Sequence, residues 1–157
     1  LKPLINRIIR KRFKSFITDG NRITDNTPDD SLHKLRIKGK KFRYLLEFFR
    51  AFYDRKEVEL FLKHMKKLQD NLGDFNDLSV QIDMLEQTLD GLKARNKQTM
   101  LLAASLGSLI TSLKGAHSHT RSKFKQTYDS FCVQENKDLI KKMTSSDQER
   151  SAVERKK

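Results

Sequence analysis

SLHKLRIKGKKFRY, residues 31–44, holds one histidine and six lysines or arginines in fourteen positions. At about 100° per residue, His33, Arg36, Lys40 and Arg43 fall within an arc of roughly 80°, while Leu35, Phe42, Leu46 and Phe49 take the other side. The spacing predicts a helix anchored by its apolar side, with a cationic stripe about 15 Å long at roughly 1.5 Å per residue. No acid interrupts the run from His33 to Arg43, and Glu47 is the first on that face. A solvated helix face usually mixes signs to gain pairs four residues apart, so an all-cationic run points to an extended anion lying along it. Lys34, Lys38 and Lys41 form a second basic edge on the opposite flank, for a ligand that reaches round the helix or for solubility alone.

The rest of the chain bounds this reading. Its 157 residues suit one domain, and 36% hydrophobic residues can build a modest core. The formal charge of +13 is uneven, with a net +9 over residues 1–50, −4 over 51–90, +6 over 91–132 and +2 over 133–157. Basicity therefore belongs to particular helices. Such charge attracts nucleic acid, anionic membrane and inorganic polyphosphate alike, and composition does not choose among them. No stretch is expected to reach the roughly 20 apolar residues of a membrane span, which predicts a soluble protein with no membrane partner. The lone Cys132 excludes an intrachain disulfide and a thiolate zinc site, in keeping with a reducing, cytoplasmic compartment. No secretory signal is visible, and the start at Leu1 inside a helical pattern suggests a piece of a longer protein.

Six glycines, two prolines and apolar residues recurring at three and four predict an all-α chain, an antiparallel bundle of about four to five helices. The first is expected from about Pro3 to Ile17, with Leu4, Ile5, Ile8, Ile9, Phe13 and Phe16 inward. The second starts with Thr27 as N-cap and Pro28 at the first helical position and runs to about Tyr53. The third spans about Lys56 to Leu72, with Gly73 as its stop. The fourth, capped by Asp74 with Asp77 in its first turn, runs to about Asp90. The fifth extends from about Lys97 to Cys132, with Leu102, Leu106, Leu109, Ile110, Leu113, Phe124, Tyr128 and Phe131 on one side. Residues 1–132 form the expected bundle, and 133–157 a polar, basic tail or linker, partly helical at most.

Polar residues inside an apolar stripe are informative because burying them is costly without partners. Arg12, Gln69, His117 and Thr120 stand out, each with a satisfied core hydrogen bond or an outward-reaching side chain as its ordinary explanation. Arg12 is the best functional candidate of the four. An imidazole such as His33 can join an anion site as a neutral donor or as a cation. No Ser-His-Asp or Cys-His pattern, phosphate-binding glycine loop or Glu-x-x-His pair occurs, His117-x-His119 point apart, and Asp70 to Asp77 lacks calcium-loop spacing. The residues thus predict no catalytic machinery, no metal and no cofactor.

Two segments in order, LHKLRIKGKKFRYLLEFF at 32–49 and LKHMKKLQDNLGDFNDLSV at 62–80, closely resemble the second half of a CHAD domain, the conserved-histidine α-helical domain. The matching positions are His33, Arg36, Lys40 and Arg43, then Leu68, Gln69, Asp70, Leu72, Gly73, Asn76 and Asp77. The resemblance covers about Leu1 to Asp90. It implies one half of a pseudo-twofold pair of four-helix bundles, a noncatalytic module that binds inorganic polyphosphate in a basic groove and recruits or localises its protein, at polyphosphate granules for example. Since the histidine helix occurs once, the chain corresponds to a C-terminal half, whose partner is the N-terminal half absent here or a second copy in a homodimer. The family is often joined to a CYTH triphosphatase-type domain, whose Glu-x-Glu-x-Lys strand is not seen, because Glu57-x-Glu59 is followed by Phe61.

The resemblance thus marks His33, Arg36, Lys40 and Arg43 as the polyphosphate site, and helix geometry adds Arg12, Lys63 and Lys67. Asp77 is expected to cap or to pair within the chain. Rival readings are a nucleic-acid-binding helical module, disfavoured by the lack of tryptophan and by phenylalanines expected in the core, an accessory domain of a phosphate-processing enzyme, and a bundle whose basic face meets an acidic protein.

Overall fold

Pro3 occupies the opening turn of the first helix, where its missing N–H costs nothing, and Asp29 and Asp30 sit in the first turn of the second, where the helix dipole favours them. In the computed structural model, which describes residues 1–93 and 95–145, six α-helices result. They are α1 (Lys2–Asn21), α2 (Asp29–Phe48), α3 (Arg55–Gly91), α4 (Lys97–Ser122), α5 (Phe124–Phe131) and α6 (Gln134–Thr144), with a 3₁₀ turn at Arg50–Phe52. The chain is all-helical among the described residues, as the periodicity predicts.

Several boundaries differ from expectation for physical reasons. Thr27 does not cap α2, because its hydroxyl oxygen instead accepts the Thr24 N–H at 2.8 Å, and Pro28 stands at the cap. The second helix ends at Phe48 and reverses through the 3₁₀ turn, after which Asp54 caps α3 by accepting from the Lys56 and Glu57 N–H groups. Gly73 does not stop α3. A mid-helix glycine costs about 1 kcal/mol, whereas Leu68, Leu72 and Phe75 bury one uninterrupted stripe across it at roughly 1.5–3 kcal/mol each. The expected third and fourth helices are therefore one, 37 residues long, and Asp74 caps nothing.

The long fifth helix, conversely, is broken. The Ser122 hydroxyl competes for the His119 carbonyl at 2.8 Å, and the ladder bond from the Lys123 N–H to that carbonyl is stretched to 3.3 Å where α4 gives way to α5. Leu102 and Leu109, expected inward on α4, are exposed, as are Leu4 and Ile8 on α1. Within Lys97–Phe131 one helical run is long and apolar enough to cross a membrane, by length and composition alone, contrary to the expectation that no stretch comes near. Interspersed Ala, Ser, Thr and Gly hide its apolar character, yet from Gln98 to Thr120 only Lys114 is a lysine, arginine or acid.

Phenylalanines tie the bundle together. Phe13, Phe42 and Phe61 stand with ring centroids 5.8–5.9 Å apart, and Phe61 reaches Phe131 at 5.7 Å, joining α1, α2, α3 and α5. Packing continues past the boundary expected at Val133. In α6, Ile140 and Met143 are buried against this core, and Asn136 donates to the Phe131 carbonyl at 2.6 Å while its amide oxygen faces His64 Nδ1 at 2.7 Å. The Thr144 carbonyl accepts from Asn6 at 2.9 Å and from Arg10 at 2.7 Å. The rest of the expected tail, 146–157, lies outside the described residues.

Candidate anion-binding groove

The groove begins with how closely α2 can approach its neighbours. A Cβ on Gly39 would lie 3.1 Å from Phe16 and 3.5 Å from Met65, so a larger residue would make the Phe16 ring give by a few tenths of an ångström, and glycine lets α2 settle on α1 and α3 at this depth without it. Across this seam Gln69 donates its amide to the Gly39 carbonyl at 3.3 Å, a satisfied bond that explains a polar residue in the α3 stripe. Two helical turns away, His33 Nδ1 meets Asn76 Oδ1 at 2.6 Å, and Asn76 donates to Asp77 at 3.3 Å. An amide oxygen only accepts, so this contact places the imidazole proton on Nδ1 and leaves Nε2 facing outward.

Between these contacts Arg36, Lys40 and Arg43 line one wall of a cleft of about 150 Å³, with Gln69, Asp70, Leu72 and Gly73 on the other. The one acid there, Asp70, is engaged by Lys66 at 2.7 Å. Among the described residues Arg36 and Lys40 have no carboxylate partner, whereas on the other flank Lys34 pairs with Asp30 and Lys38 with Asp19. Arg43 stands 3.6 Å from Glu47 and over the Tyr44 ring at 5.1 Å, but its Nε is buried with no hydrogen bond. Leaving such a donor unmet costs about 1–3 kcal/mol, which an oxyanion in the cleft would offset. The arrangement can hold a chain of anionic oxygens. It brings no nucleophile and base together.

The other expected residues lie elsewhere. Arg12 is exposed rather than set in the core arc, on the face of α1 that presents Ser15 and Asp19 to Lys38, so it stands on the far flank of α2 from the cleft. Lys63 and Lys67 are exposed and line a separate depression of about 570 Å³ between α3 and the α5–α6 end, with Asp70 bordering both. His117 stacks on Phe75 at 4.2 Å and meets the Ser79 hydroxyl at 2.8 Å, and the Thr120 hydroxyl donates to the Ala116 carbonyl at 3.0 Å, both of them structural partners.

Sequence reasoning missed an aromatic patch where the stripe ends. Phe48 is 80% exposed and borders an open cavity of about 880 Å³ with Glu47, Arg50, Tyr53 and Leu62. The signal was available, since Phe48 and Phe49 are adjacent and cannot both face inward on one helix.

Residues 1–86 match the family model of the CHAD domain. The chain belongs to the CHAD-domain family. No match is found among curated proteins. The CHAD match takes in α1, α2 and α3 to within a turn or two of its end, hence both walls of the cleft, and leaves α4, α5 and α6 outside it. Within that match, His33 joins α2 to α3 through Asn76. The family is one associated with polyphosphate.

Proposed function

We propose that this CHAD domain is a noncatalytic module that binds inorganic polyphosphate along α2 and thereby recruits or localises its protein in the cytoplasm, at polyphosphate granules. The observation that carries this reading is the cleft itself, where Arg36 and Lys40 stand without carboxylates and the buried Arg43 Nε lacks an acceptor. Arginine forks would fix the phosphates, lysine would add mobile charge, and His33 would donate from Nε2 when protonated. Lys63, Lys67 and Arg12, being outside the cleft, would serve as outlying charge that draws the polymer in. Affinity comes largely from counterion release and falls steeply with salt.

Calorimetry with long-chain polyphosphate at two salt concentrations tests this, comparing the chain with a His33→Ala, Arg36→Ala, Lys40→Ala, Arg43→Ala variant. Tight binding, with a log–log salt slope that the variant reduces by about 2–3, supports the site. Equal binding by both proteins sinks it. The exposed Phe48 beside Arg50 favours one second reading, single-stranded nucleic acid held by stacking. Under that reading DNA displaces polyphosphate and Phe48→Ala weakens DNA binding; under the first, DNA does not displace it and Phe48 is indifferent.

A further inference from the structure

Helix α4 is 26 residues long, yet Ile110 is the one residue in it that is fully buried. With the last turns of α3 it forms a two-helix arm, whose free end lies where α3 gives way to α4. Charge on this arm is segregated. At 100° per residue Asp83, Glu86 and Asp90 of α3 share an arc of about 60°, and Lys114 of α4 joins Glu86 on that flank at 2.5 Å. Elsewhere on the arm stand Val80, Met84, Met100, Leu101, Leu102 and Leu109, each 46–62% exposed. Met100, Leu101 and Leu102 are consecutive, so they point about 100° apart and take up the side of α4 that α3 leaves open. Lys93, Arg95 and Lys97 are exposed at the free end, and among the described residues none of the three has a carboxylate partner. From Gln87 to Ile110 the chain sets one acid, Asp90, against these three cations.

We propose that the arm docks on an anionic lipid surface, with its exposed apolar side chains sunk between headgroups and acyl chains and with Lys93, Arg95 and Lys97 on the phosphates. Two observations select this occupant. Exposed apolar residues are spread over several sides of the arm, so no one protein face reaches them all, whereas a fluid boundary entered to about 5–10 Å closes around each. The cations beside them complement anionic headgroups, and Asp83, Glu86 and Asp90 stay in water on their own flank. A net charge of +13 draws the whole chain to the same surface. The expectation of no membrane partner weighed spanning length alone, and docking does not require it. Spanning is disfavoured because α4 is keyed to α3, by His117 stacked on Phe75, by Asn71 donating to the Thr120 carbonyl at 3.0 Å and by Lys114 on Glu86. Crossing a bilayer would break all three contacts, and docking keeps them.

The tip cations and all of α4 lie outside the CHAD match, and lipid binding is measured without polyphosphate, so this inference stands or falls separately from the proposed function. The chain has no tryptophan, so one introduced at Leu101 reports on the arm alone. Titrating the whole chain as Leu101→Trp with mixed phosphatidylserine and phosphatidylcholine vesicles should shift its emission to the blue. Gln126→Trp, exposed on α5 at the bundle end, should not shift, and phosphatidylcholine alone should bind far more weakly. At unchanged helicity, replacing Lys93, Arg95 and Lys97 by glutamine should weaken binding about a hundredfold, and Met100→Ser with Leu102→Ser about tenfold. An emission at Leu101 that no vesicle shifts overturns the proposal. So does vesicle binding that the arm variants retain and Arg36→Ala, Lys40→Ala loses, because α2 would then hold the lipid. A blue shift without vesicles, growing with protein concentration as the chain sediments as a dimer, also overturns it and assigns the arm to a second copy.

Discussion

The bundle end and the arm are built from the same helix α3 and differ in what surrounds it. In its first twenty residues α3 is enclosed by α1, α2, α5 and α6, and Phe61, Met65 and Leu68 lose all contact with water. In its last fifteen its main partner is α4, and Val80 and Met84, on the side away from α4, are 58% and 60% exposed. Apolar periodicity is similar in both. What it records is a face that must be covered, and in the bundle end the chain supplies the cover.

The sharpest way to break this comparison is a pair of truncations. Phe61→Ala removes a ring that touches Phe13, Phe42 and Phe131 and should cost about 3–5 kcal/mol in urea unfolding. Leu101→Ala, at an outward arm position that is 60% exposed, should stay within about 0.5 kcal/mol. Comparable losses at the two sites would mean that the arm is covered within the chain.

Gly20→Ala comes next. Its Cβ would lie 2.1–2.6 Å from three atoms of the Tyr128 ring, which is fully buried with its hydroxyl 2.7 Å from the Ile17 carbonyl and 3.0 Å from Asn21 Oδ1. The ring cannot retreat without giving up those acceptors. Overpacking of this kind costs about 1–3 kcal/mol, read as a lowered midpoint in the same titration.

How far the sequence speaks for each region follows from the same contrast. The stripe His33 to Arg43 and the apolar side Leu35, Phe42 and Leu46 are periodic and local, and those three side chains are buried as expected. Gly73 misled because a stop signal weighs only about 1 kcal/mol and flanking burial outweighs it. Leu102 and Leu109 misled because periodicity states which side is apolar, not whether the chain holds a partner for it. Arg12 misled through its angle alone, since an arginine at the edge of a packed arc can lean into solvent. The division of cations between cleft and flanks required the α2–α3 seam, which depends on Gly39 and on a contact 43 residues apart in sequence, His33 to Asn76.

Tyr128 gives the bundle end a pH signature that the arm should lack. Burial pushes its phenol well up, and burial likewise raises Cys132 and Tyr53. Each group folds in its protonated form and ionises more readily once unfolded, so the native state binds more protons at high pH. Stability is full below about pH 8.5 for a thiol and 10 for a phenol, and it falls as pH rises from there through the raised folded values. Tyr128→Phe should cost about 1 kcal/mol at neutral pH for its hydrogen bond and flatten the alkaline decline. An unchanged decline in that variant would place the alkaline-sensitive groups elsewhere.

The smallest effect has the opposite sign and belongs to the arm. Gly107 and Gly115 lie inside α4, and a Cβ at either meets nothing within 4 Å. Replacing each by alanine reduces the freedom of the unfolded chain and should stabilise by about 0.5–1 kcal/mol, where Gly20→Ala in the bundle end destabilises. A loss at either would mean that something packs on the outer side of α4.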